Sequence, residues 1–73
     1  METKVKKIII KAANRINTLK TCIAMGGEES AQSMWRGVIE GLLEAASVIS
    51  GRVYTWDNNG IYENHGNEPI YKV

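Results

Sequence analysis

Ser30-Ala31-Gln32-Ser33-Met34-Trp35-Arg36-Gly37-Val38-Ile39-Glu40-Gly41-Leu42-Leu43-Glu44-Ala45-Ala46-Ser47-Val48-Ile49 is the stretch whose reading decides the fold. Ala31, Trp35, Val38, Leu42, Ala45 and Ile49 advance by alternating steps of four and three, the repeat of one helical face. Met34, Ile39, Leu43, Ala46 and Val48 widen the apolar surface past half the circumference, more than one neighbour can cover. Two glycines stand inside this helix, and each costs about 1 kcal/mol relative to alanine. Their use is to let another backbone come close: Ser33, Gly37, Gly41 and Ala45 recur at i+4 and draw a smooth row down one flank. Either the preceding helix packs into this row with its large side chains, or two copies of the second helix cross there in a homodimer. Met34, Trp35, Ile39 and Leu43 then await a cover, from a second subunit or from the C-terminal segment.

The signals around this helix are consistent with it. Glu28 and Glu29 favour the positive end of the helix dipole, and Ser50-Gly51 is a C-terminal stop. Upstream, Val5, Ile9, Ala12, Ile16, Leu19 and Ile23 form a second four-three seam, widened by Ile8 and Cys22, with Thr3 as the expected N-cap and Met25-Gly26-Gly27 as the stop. Helices are therefore expected over about 3–25 and 28–50. The short Gly26-Gly27 link folds them antiparallel.

Downstream, Arg52-Val53-Tyr54-Thr55-Trp56-Asp57 is rich in β-branched and aromatic residues, and Asn58-Asn59-Gly60 is a turn signal before Ile61-Tyr62-Glu63. This predicts a β-hairpin over about 52–64. A three-residue loop with Gly60 left-handed would pair Trp56 with Tyr62, whereas an Asn59-Gly60 loop would pair Trp56 with Glu63; the first is the expected register, because it places Tyr54 beside the aromatic pair. The tail, 65–73, carries a possible short third strand at Ile70-Tyr71-Lys72-Val73. The fold class is α+β: an antiparallel two-helix hairpin followed by a C-terminal β-hairpin, in a single domain spanning 1–73.

A chain of 73 residues buries only about 60% of its unfolded surface, and one cysteine excludes an internal disulfide. Self-association is the expected source of extra buried area. Nothing in the sequence has the length and apolarity of a membrane span, and the expected compartment is the cytoplasm. The formal net charge of +1 conceals an asymmetry. Residues 1–20 hold six cations against one carboxylate, a net +5, and residues 21–73 hold three against seven, a net −4. Lys4, Lys7, Lys11 and Arg15 form a candidate row for an anion or nucleic acid, although no aromatic residue interleaves with them for base stacking.

Chemistry-bearing constellations are sparse. Glu40 and Glu44 lack the converging Glu or Glu-x-x-His partners of a helical metal site. Asp57 and Glu68 stand at the first and twelfth positions of a calcium-loop spacing, but Tyr62 occupies the place of its turn glycine. His65 has neither a nucleophile nor an orienting group in view. No catalytic residue, metal ligand or cofactor is assigned, and the chain is read as a non-enzyme. Tyr54, Trp56, Tyr62 and Tyr71 form a candidate aromatic binding face, as protein hot spots or as a stacking platform for a nucleobase. The leading expectation is a small protein-protein interaction module, an adaptor or inhibitor of a size common in bacteria and phages, that acts as a homo-oligomer. The alternatives are a nucleic-acid-binding module built on the basic helix and an oligomeric protein that sequesters a nucleotide or another small ligand.

Overall fold

A computed structural model describes residues 2–73. Two 22-residue helices, α1 (Thr3–Ala24) and α2 (Glu29–Ser50), precede three strands, β1 (Tyr54–Asp57), β2 (Gly60–Glu63) and β3 (Tyr71–Lys72). The strands form one antiparallel sheet in the order β1-β2-β3. The helices pack antiparallel. The sheet lies across them, with β1 against α2 and β2 and β3 against α1.

The spine of the molecule is α1. Val5, Ile9, Ala12, Ala13, Ile16 and Leu19 are all buried, whereas α2 contributes only Ile39, Leu43 and Ala46. Tyr54 and Ile61 complete the interior from the sheet, and among the described residues no polar or charged side chain is buried. The seam expected on α1 holds from Val5 to Leu19, and Ile23 emerges at its end, 43% exposed. At the helix start Glu2, not Thr3, occupies the N-cap, and its side chain makes no capping bond. Gly26 turns left-handed at φ 72°, and the Gly27 N–H donates back to the Cys22 carbonyl at 2.7 Å.

The packing between the helices differs from the large-into-small match expected along the glycine row. Small residues stand on both sides of the core, Ala12 and Ala13 on α1 and Ala46 on α2, and the face that α2 commits to it is built around Ile39, Leu43 and Ala46, with Trp35 and Leu42 packed at its edge. The physical reason is area. Of the two apolar faces of α2, the one with the larger side chains removes more surface from water, at about 25 cal/mol per Å². That face turns inward, and Gly37 and Gly41 turn outward.

The hairpin register also differs from both expected pairings. Trp56 pairs with Ile61, Thr55 with Tyr62 and Asp57 with Gly60, around a two-residue Asn58-Asn59 loop. Asp57 sets this register: its Oδ1 accepts the N–H groups of Asn59 at 2.7 Å and Gly60 at 3.2 Å, closing the turn from the side chain. Because opposed residues share a face, Trp56 and Ile61 both turn to the helices, and Ile61 is fully buried. Gly60 serves a different purpose from the one its turn position suggests. A Cβ there would collide with the Tyr71 carbonyl oxygen and lie 3.0 Å from the Pro69 Cβ and 3.2 Å from the Lys72 Cα. The missing side chain is what lets β3 close on β2. Gly60→Ala is therefore expected to destabilise the protein by about 1–3 kcal/mol through overpacking, read as a lowered urea midpoint; an unchanged midpoint would show that β3 does not depend on this contact.

Candidate functional site

At 100° per residue, the inward face of α2 carries Trp35, Ile39, Leu42, Leu43 and Ala46. The opposite side carries a continuous stripe of Met34, Val38, Gly41, Ala45 and Val48, edged by Gly37 and Ile49. It contains no charged residue. Met34 is 54% exposed, Val48 79% and Ile49 45%, and no atom outside the helix comes within 4 Å of a Cβ built on Gly37 or Gly41. Single exposed apolar residues are ordinary, but a contiguous stripe of them is the mark of a contact surface. Here it coincides with two glycines that weaken the helix and gain nothing from packing within the chain.

The two sides of the stripe carry opposite charge. On one side of α2 stand Arg36, Glu40 and Glu44, all exposed, with the two carboxylates nearest the stripe. Glu40 Oε1 accepts the Trp56 indole N–H at 2.7 Å, which ties that flank to the sheet. On the other side lies α1. The residues of α1 turned away from the sheet are Lys4, Ile8, Lys11, Arg15 and Cys22. Arg15 marks the boundary, since its guanidinium lies 5.6 Å from the centre of the Trp35 ring, a cation–π contact. Among the described residues the only ion pair is Arg52 with Glu63, so the exposed Lys4, Lys7 and Lys11 and the Arg36, Glu40 and Glu44 strip are not neutralised by salt bridges within the chain.

The residues singled out from sequence separate into groups. Ser33, Met34, Gly37, Gly41 and Ala45 come together on the outer surface, while Ile39 and Leu43 are core and Trp35 is half-buried against it. The surplus left uncovered consists of Met34, Val38, Val48 and Ile49; no strand covers it. Lys4, Lys7 and Lys11 share the exposed side of α1, but Arg15 is engaged with Trp35. The four aromatic residues do not form one face. Tyr54 and Trp56 point to the helices, and Tyr71, paired with Ile61, shares their side of the sheet. Tyr62 lies on the other side, where its hydroxyl donates to Asp57 at 3.0 Å. Sequence reasoning ranked Val38 and Val48 with the core pattern; their exposure could have been found only by deciding which of two apolar faces α1 takes.

The remaining surface offers little chemistry. Among the described residues no three His, Cys, Asp or Glu side chains gather as a metal-binding group. Asn64 and His65 both have positive φ, 52° and 59°, and the Gly66 N–H donates to the Glu63 carbonyl at 3.0 Å, a tight reversal between β2 and β3. Among the described residues no helix is long and apolar enough to cross a membrane.

No protein-family model, curated protein or solved structure matches this chain.

Two polar contacts that frame the sheet can be tested. Glu40→Ala leaves the Trp56 N–H without its acceptor and is expected to cost about 1 kcal/mol, while Glu40→Gln, which keeps an acceptor oxygen, should stay within about 0.5 kcal/mol of the parent in the same denaturation experiment. Partial burial raises the Tyr62 phenol above the usual tyrosine range, and its hydrogen bond to Asp57 adds to this. The neutral phenol is thus favoured in the folded state, so its contribution to stability is full below the unfolded-state value and is lost as pH rises through the folded one. Alkaline absorbance titration should show one phenolate forming late that Tyr62→Phe lacks.

Proposed function

We propose that this chain is a small protein-protein interaction module, acting without turnover, that works as a homo-oligomer through the outer face of α2. The observation that carries this reading is the stripe from Met34 to Val48, apolar, uncharged and uncovered along about 21 Å at 1.5 Å per residue, with Gly37 and Gly41 opening its surface to close approach. Binding a partner there returns what the two glycines cost the helix. The small size of the fold supports the same view, since a domain with three buried residues on its second helix has more to gain from association than a larger one. An adaptor or inhibitor role follows from the character of the surface, which can dock but offers no assembled reacting groups.

A second reading rests on one observation. Lys4, Lys7 and Lys11 are exposed and free of ion pairs among the described residues, so that a nucleic-acid backbone could meet the basic side of α1. Neutralising three phosphates would make the logarithm of the affinity fall with the logarithm of salt at a slope of about −2 to −3. The divided aromatic residues lend no single platform to a nucleotide ligand.

The primary test is sedimentation velocity at micromolar concentration. A species of at least two chains is expected, and a single-chain species alone would overturn the proposal. Gly41→Leu separates folding from association: because the site is open within the chain, the helical circular-dichroism spectrum should be kept while the mass falls to that of one chain.

A further inference from the structure

The flanking charges specify more than attraction. We infer that the occupant of the outer face of α2 is a second copy of this chain lying parallel to the first, with the two α2 helices related by a two-fold axis running along them. This inference rests on the self-association proposed above and adds its geometry. One border of the stripe carries Glu40 and Glu44 next to the face, with Arg36 set further back toward the sheet, and the other carries Lys4, Lys11 and Arg15 of α1. A copy brought face to face with its helix parallel presents its acidic border to the other copy's basic border, on both sides at once. A copy brought face to face with its helix antiparallel presents acid to acid and base to base. Like charges apposed across an interface select against that arrangement.

The levels along the helices also agree. The Arg15–Trp35 contact fixes the antiparallel register of α1 on α2, and one turn toward the start of α1 Lys11 stands at the height of Ile39 and Glu40. In the parallel pair, equal heights meet, so Lys11 of one copy faces Glu40 of the other and Lys4 lies near the level of Glu44, while Arg15 stays on the Trp35 ring of its own chain. On the axis itself Gly41 meets Gly41, and Met34, Val38, Ala45 and Val48 each meet their own counterpart. A standard interface removes about 800 Å² from each partner, roughly a sixth of the 4770 Å² this chain exposes.

Disulfide trapping decides between the orientations. In a Cys22→Ser background, Met34→Cys and Val48→Cys are made as two chains of different tag length, mixed and oxidised mildly. Parallel pairing predicts Met34→Cys chains joined to each other and Val48→Cys chains joined to each other, with almost no mixed product. The mixed pair would be about 21 Å apart, far beyond the Cα separation of under about 7 Å that a disulfide spans. A predominance of the mixed product, or a statistical mixture of all three, would overturn the orientation while leaving self-association standing. Sedimentation of the same reduced chains as single copies would overturn the self-association beneath it. An independent arm uses charge: Lys4→Glu and Glu44→Lys should each weaken association by roughly tenfold, and the two changes combined in one chain should restore it, because each new cation then faces a new carboxylate on the other copy. Failure of the double variant to recover would likewise count against the parallel arrangement.

Discussion

The structure depends on the complete burial of one side of α1. Its six interior residues are the surface on which α2 and the sheet both rest, and no other element touches so much of the molecule. The interior contains no buried polar side chain among the described residues, so within the core itself shape and area decide the packing. Ala12 and Ala13 let α2 and the strands approach, and Ile9, Ile16 and Leu19 fill the angle between them. With so small a core, each methylene group counts for about 0.8 kcal/mol.

Placing α1 at the centre gives α2 its double character. A helix that packs against α1 on one side and carries the β1 strand on the next has committed only part of its circumference. The remainder would be polar in a helix made solely for folding. In α2 it is Met34, Val38, Ala45 and Val48, interrupted by glycine, and the charges that solubility requires have been moved to the borders. The hydrogen bond from Trp56 to Glu40 and the Arg15 contact with Trp35 hold those borders in place, so that the face is presented on a framed scaffold instead of a free helix.

Much of this was legible in the residues. Four-three spacing located both helices, Gly26 and Gly51 marked their ends, and the aromatic run before Asn58-Asn59-Gly60 announced the hairpin. Three things were not legible, each for a physical reason. The hairpin register turned on the carboxylate of Asp57, which closes a shorter loop than Gly60 alone would suggest. Gly60 itself looked like a turn residue and proved to be the seat of β3, a contact with residues eleven and twelve positions away. The facing of α2 was undetermined because the helix has two apolar surfaces, and periodicity reports that a surface is apolar without saying which neighbour it meets. The candidate site lies where that ambiguity was greatest.

The unshielded glycines bear on how the molecule moves. The middle of a helix is ordinarily its best protected part, with opening confined to the ends. In α2 Gly37 and Gly41 put no side chain over the outer surface and have no neighbour within 4 Å of either missing Cβ, so local opening is favoured near the centre. The helix is thus built with a soft segment in its middle that a second backbone laid against it would stiffen, and part of what association stabilises is the order of α2 itself.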